Sequence, residues 1–205
     1  MNRTAGARTG HVTTTVSWLE MLERPKGAPL QPPGSGIEVV RALEPTVSFY
    51  RYLYDTVGAD WLWTRRRLLD DADLAAIIRD PGVDIRVLWC HGVPAGFAEL
   101  DVREAPDVEL AYFGLIPEFI GRGLGRYLLD WAVRHAWTRG AGRLWVHTCD
   151  LDHPRAVATY EAAGFELYDR DECEETVMEG MALPAHAAER PVRWQGAPGE
   201  SAGDA

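Results

Sequence analysis

Apolar and polar positions along this chain cycle first with a period near two, then near four, then near two again, and each change of period marks a new element. His11–Met21 is dense in β-branched and aromatic residues and predicts one strand. Pro25–Gly36, rich in proline and glycine, reads as a linker or a strap across the surface. Ile37–Leu43 predicts the first core strand and Thr46–Val57 a helix, with Phe49, Leu53 and Val57 on one stripe. Asp60-Trp-Leu-Trp-Thr64 reads as a loop between helices; Asp70 or Asp71 can then cap the segment Leu74–Arg79, which Pro81-Gly82 ends. Strands follow at Asp84–Cys90 and Ala95–Val102, joined through His91–Pro94, and at Val108–Leu115 after Pro106-Asp107.

A helical period takes over from Gly123 to Thr138, with Leu124, Leu128, Trp131, Ala132 and His135 on one stripe and Arg126, Asp130 and Arg134 in an exposed row of opposite charges. Arg143–Cys149 predicts a strand. Asp152–Phe165 predicts a helix with Asp152 or His153 at its boundary, Pro154 in its first turn and Gly164 as its stop. Glu166–Asp171 and Thr176–Leu183 predict two closing strands. The first ten residues and Pro184–Ala205 read as disordered.

The run Glu109–Arg126 is a strand feeding a glycine-rich turn that opens a helix. Glycines 121, 123 and 125 let a ligand approach the backbone, and the first helical N–H groups have no partner within the helix. With the positive helix end, Arg122 and Arg126, this turn suits a pyrophosphate. It is not a dinucleotide fingerprint, because Arg126 or Leu128 falls where the third glycine belongs, and the chain has no Gly-Lys-Ser/Thr of a triphosphate loop.

What remains, Ile120-Gly-Arg-Gly123-Leu-Gly125, resembles the coenzyme A loop of the GNAT N-acetyltransferase superfamily, Gln/Arg-x-x-Gly-x-Gly/Ala, with Ile120 departing at its first position. Downstream, Ala156, Tyr160, Gly164 and Phe165 are in register with the second signature of that family, and His153 stands where its members commonly carry Asn. The resemblance covers about Ile37 to Leu183. It implies an α/β (α+β) GNAT fold: a central mixed, mostly antiparallel sheet with splayed strands and helices on both faces. It divides the chain into an extension and linker over 1–36, the acetyltransferase domain over 37–183 and a tail over 184–205. It also implies acetyl-CoA as cosubstrate, held at Arg122, Gly123, Leu124, Gly125, Arg126 and His153, with the pantetheine arm along Phe113, Gly114 and Leu115. A noncatalytic acyl-CoA-binding domain, or transfer of another acyl group or to another acceptor, stays open.

Amine attack on a thioester needs a proton acceptor and a donor for the departing sulfur. Glu109 takes the first role at the position where histone-type members carry their glutamate, and Glu99 on the preceding strand is its rival. Tyr160 is the candidate acid, since a phenol is protonated at neutral pH. His147, Cys149, Asp150, Asp152 and His153 lack a standard ligand spacing, so no metal is expected. The net charge of −10, from 21 basic and 31 acidic residues, argues against nucleic acid or an acidic membrane as partner and tolerates a small-molecule or peptide amine. Cys90, Cys149 and Cys173 are odd in number and widely spaced, which points to reduced thiols and a cytoplasmic protein. The oligomeric state, a homodimer included, is left open.

Overall fold

The computed structural model describes residues 8–195. In chain order the elements are β1 Thr9–Met21, β2 Ile37–Arg41, α1 Val47–Val57, α2 Asp71–Ile78, β3 Val83–Cys90, β4 Val93–Asp101, β5 Asp107–Leu115, α3 Leu124–Thr138, β6 Arg143–Cys149, α4 Ala156–Ala162, β7 Glu166–Met178 and β8 Arg193–Trp194. The strands form one open sheet in the order β2-β3-β4-β5-β6-β1-β7, with β8 also paired to β1. Every pairing is antiparallel except β5 with β6.

Local chemistry sets the helix ends. Thr46 accepts the Phe49 N–H at 3.3 Å, and Asp70 accepts the N–H groups of Ala72 and Asp73 at 2.9 and 2.8 Å. Gly164 adopts φ +101° at the end of α4, where the Phe165 N–H returns to the Tyr160 carbonyl at 3.1 Å. Packing then places the helices on opposite faces. Leu124, Leu128, Leu129, Ala132, Val133 and Ala136 of α3 sit in a core with Leu100, Leu110, Leu144 and Val146. Each large apolar side chain buried this way contributes about 1.5–3 kcal/mol, more than the roughly 0.7 kcal/mol by which ordinary residues differ in helix propensity. On the other face Tyr50, Leu53, Tyr54 and Val57 of α1 cover Ile85, Val87 and Phe97.

Several expectations are corrected. The α1 stripe is centred on Tyr50, Leu53, Tyr54 and Val57, with Phe49 at its margin. α4 begins at Ala156 rather than beside Asp152. The two expected closing strands are one, because β7 pairs with β1 from Glu166 to Met178 and its run of acidic residues lies along an open edge, where charge meets water and deters further pairing. β1, expected in the extension before residue 37, lies between β6 and β7, inside the sheet. Nor is the whole tail irregular. Residues 185–187 form a 3-10 turn, β8 pairs with β1, and Arg190 binds Asp150 at 2.7 Å. Positions 1–7 and 196–205, also expected to be disordered, lie outside the described residues.

The proline-rich segment is a strap along α3. Arg134 donates to the carbonyls of Gly27 and Ala28 at 3.1 and 3.2 Å, and the Leu30 N–H donates to Asp130 at 2.9 Å. The row expected to be exposed is therefore what holds the strap. Trp131 packs at the margin of that core, whereas His135 leaves the stripe: His135 Nε2 lies 3.0 Å from Asp84 Oδ2, and the two rings stack with centroids 4.7 Å apart.

Candidate active site

β5 and β6 pair only at Asp107–Arg143, Val108–Leu144 and Glu109–Trp145, then separate. The gap is a cavity of about 280 Å³ lined by Leu110–Leu115 on one side and Val146–Cys149 on the other. A register shift in the β4–β5 pairing leaves Ala111 without a partner and sets Tyr112 opposite Glu99. As a result Phe113 and Leu115 join the core beneath α3, while Tyr112 joins the side of α1. The side of Phe113–Leu115 that β6 has left has no strand partner among the described residues, so its backbone polar groups face the gap.

The glycine turn closes one end of the cavity. Gly121 and Gly123 have φ of +81° and +78°, a left-handed conformation that other residues rarely adopt, and Gly123 caps α3 without any side-chain hydrogen bond. Among the described residues, no acceptor meets the N–H groups of Leu124, Gly125 and Arg126, and Gly125 lines the cavity. Arg126 is exposed. Arg122 instead turns toward β3, its guanidinium over the Phe119 ring at 5.1 Å and 3.8 Å from Cys90 Sγ. It lines a neighbouring cavity with Pro33, Ser35 and His91.

Tyr160 stands on the opposite wall, 8% exposed, its ring edge-on to Phe113 and Phe165 at 6.2 and 5.8 Å. Burial, and then the charge of Asp152, raise its phenol well above the usual range, so it keeps its proton. His153 also lines the cavity, edge-on to Trp61 at 5.2 Å, and its Nδ1 accepts the Arg155 N–H at 3.1 Å.

The two glutamates expected to act as base are elsewhere. Glu109 lies where β5 and β6 are still paired, outside the cavity, with Oε1 3.1 Å from His147 Nδ1. That contact is not aligned as a hydrogen bond, and Nδ1 has no acceptor among the described residues. Glu99 is 0% exposed: Oε2 accepts the Tyr50 hydroxyl at 2.6 Å and Oε1 takes Arg66 at 2.6 Å. Burial pushes its carboxyl up against the opposing pull of Arg66 and Tyr50. Neither carboxylate reaches the cavity, because one precedes the splay and the other points beneath α1.

The carboxylates that do line it are Asp152 and Glu175. Sequence reasoning treated Asp152 only as a helix boundary or metal donor, and passed over Glu175, which reaches the wall because β7 runs unbroken beside β1. Glu175 is tied to Arg65 at 2.8 Å. Cys149 lines the same wall, and burial, then the charge of Asp152, pushes its thiol up to about 12, so it stays a thiol and a poor nucleophile. The remaining wall is aromatic: Tyr54, Trp63 and Tyr112 contact one another with centroids 5.0–5.2 Å apart. Among the described residues no group of three or more His, Cys, Asp or Glu is arranged to hold a metal ion, and no helix is long and apolar enough to cross a membrane.

An open mixed sheet parted between two parallel strands, beside a glycine turn at a helix start, is the fold of the GNAT acetyltransferases. The acetyltransferase (GNAT) family model matches residues 48–165, and the chain belongs to that family. It is similar to the mycothiol acetyltransferase of Nocardiopsis dassonvillei, 43% identical over 67 residues that make up 32% of this chain and 20% of the relative. It is also similar to the mycothiol acetyltransferase of Corynebacterium efficiens, 32% identical over 108 residues, 53% of this chain and 35% of the relative. The matched regions thus span only a fifth to about a third of these relatives. Among solved structures, a GCN5-related N-acetyltransferase from Sphaerobacter thermophilus aligns with TM-score 0.59 and 18% identity over 85% of this chain and 53% of that one. A tandem GNAT protein from the clavulanic acid biosynthesis pathway aligns with TM-score 0.51 and 21% identity over 87% of this chain and 57% of that one. At these identities the two structures speak for the fold alone.

Proposed function

We propose that the chain is an acetyl-CoA-dependent N-acetyltransferase that transfers the acetyl group directly to an amine in a ternary complex. One observation carries the reading: a single cavity joins the uncapped start of α3 to a buried, protonated Tyr160 across two parted strands. The residues suit the cosubstrate. The N–H groups of Leu124, Gly125 and Arg126 would hold its pyrophosphate, with the exposed Arg126 adding charge, and the unpaired side of Phe113–Leu115 would hold the pantetheine arm as an added strand. Gly114 leaves no room there for a side chain, since a Cβ would lie 2.4 Å from Val57 Cγ1.

Bound acetyl-CoA supplies the thioester, and the chain supplies position and protons. Tyr160 holds its proton at the phenol oxygen and offers it as a hydrogen bond to the departing sulfur. Arg122 and His153 flank the turn and the cavity and are second in importance to the backbone donors. The family membership and the names of the two mycothiol acetyltransferases support acetyl transfer. The three free cysteines and the net charge of −10 support a cytoplasmic protein without a nucleic-acid partner.

The test is coenzyme A release from acetyl-CoA with and without a panel of amines. Release that requires an amine is the expected result. Acetyl-CoA binding with no amine-dependent release would point instead to a noncatalytic acyl-CoA-binding domain.

A further inference from the structure

Asp152 follows the end of β6, and its carboxylate is incompletely satisfied. Oδ2 accepts the Thr148 hydroxyl at 2.7 Å and the Cys149 N–H at 3.1 Å, and Oδ1 accepts Trp63 Nε1 at 3.1 Å. A carboxylate has about four lone-pair sites. Three are filled by neutral donors, and no Lys, Arg or His among the described residues lies within ion-pair distance. The open site is on Oδ1, beside the Trp63 indole, in a wall that also carries Trp61, Tyr54 and Tyr112.

The other carboxylates are committed. Arg65 neutralises Glu175, Glu109 lies outside the cavity, and Glu99 is sealed by Arg66. The titratable groups around Asp152 are His147 and Cys149 of β6, His153 before α4, Tyr160 of α4, Glu175 of β7, Arg65 of the loop after α1, Tyr54 of α1 and Tyr112 of β5. Tyr160 and Cys149 both respond to the Asp152 charge, so the carboxylate acts on the middle of the cavity.

We propose that Asp152 seats the ammonium of the acceptor and takes the proton it sheds, and that the acceptor is a primary amine on an apolar skeleton. This rests on the acetyltransferase reading above. The proton moves from the ammonium nitrogen to Oδ1, and the freed lone pair forms the amide N–C bond as the thioester C–S bond breaks. The electron pair leaves on sulfur, which takes the Tyr160 proton; the second proton of the acylated nitrogen returns to the phenol oxygen through water, and Asp152 returns its own proton to water. Aromatic faces and a carboxylate without a cation favour a positive head on an apolar body, and they repel a second carboxylate or a phosphate.

Initial rates with phenethylamine, ethanolamine and glutamate, measured from acid to alkaline pH, test this. Wild type is expected to prefer phenethylamine by about tenfold or more. Asp152→Asn should lower its kcat/KM on the order of 10²-fold, with partial recovery at high pH and an unchanged acetyl-CoA Kd by calorimetry. Trp63→Phe keeps the carboxylate and removes one donor to its charged form, so the acidic limb of the profile should move to higher pH. If wild type acetylates none of the amines, the acetyltransferase reading itself fails. If wild type is active while Asp152→Asn keeps its rate and profile, the Asp152 assignment is overturned alone. Should Asp152→Asn not fold, an unmoved limb in Trp63→Phe overturns it instead. A preference for glutamate overturns the acceptor class.

Discussion

Arg66 and Glu99 meet at 2.6 Å beneath the aromatic wall of the cavity, the guanidinium lying over the Tyr112 ring at 5.2 Å and the Arg66 backbone N–H donating to the Tyr54 hydroxyl at 3.2 Å. A glutamate that reads from the sequence as a catalytic base is thereby an anchor for the loop carrying Trp61 and Trp63.

Glu99→Gln removes the ion-pair partner of an Arg66 side chain that is 13% exposed. Leaving one charge of a buried pair alone costs about 3–5 kcal/mol, which urea denaturation should register. The loop should loosen as well, raising the amine KM while the acetyl-CoA Kd stays near wild type. An unchanged denaturation midpoint would remove the anchoring role.

Gly123 tests the glycine turn. With φ +78°, Gly123→Ala should cost about 1–2 kcal/mol of stability through backbone strain. Gly123→Asp adds a negative charge at the uncapped helix start and should weaken acetyl-CoA binding by more than about tenfold, or 1.4 kcal/mol. Equal affinity of a folded Asp variant and wild type by calorimetry would place the pyrophosphate elsewhere.

Tyr160→Phe keeps the packing against Phe113 and Phe165 and deletes only the hydroxyl. Turnover should fall on the order of 10²-fold, without alkaline rescue, because the lost group donates rather than accepts a proton. Acetyl-CoA affinity should hold. Wild-type turnover in this variant would mean that water alone serves the departing thiolate.

Asp84 governs acid stability. Burial by itself would raise its carboxyl, but hydrogen bonds from His135 and Arg86, with their charges, outweigh burial and hold it well below the usual carboxylate range. A depressed folded-state pKa stabilises the fold above the unfolded value near 3.9 and loses that contribution as pH falls toward the folded value. Stability against urea should therefore decline from about pH 4 downward in wild type, and more shallowly in Asp84→Asn. Parallel declines in both proteins would assign the acid sensitivity to other groups.

The parts of this protein legible in its sequence are those decided within a few residues. Thr46, Asp70 and Gly164 end their helices where their side chains or φ preferences demand. The turn at Gly121–Gly125 was readable for the same reason: left-handed backbone and uncapped N–H groups are local properties. Leu124 and Leu128 fall on the buried stripe because a helical period fixes which positions face the sheet.

What only the tertiary structure decided are pairings between distant segments. β1, set apart in the sequence by a proline-rich strap, enters the sheet between β6 and β7, and through its pairing with β7 brings Glu175 to the cavity wall. Local propensity carries no information about which edge a strand will meet. The surroundings of each carboxylate are set in the same way: Glu109, Glu99 and Asp152 are equally acidic as letters. The end of β5–β6 pairing, the reach of Arg66 and the indole of Trp63 leave only the last of these three with an unfilled acceptor facing the gap. Charge is a property of the residue, whereas its availability is set by the partners that folding brings within hydrogen-bond distance.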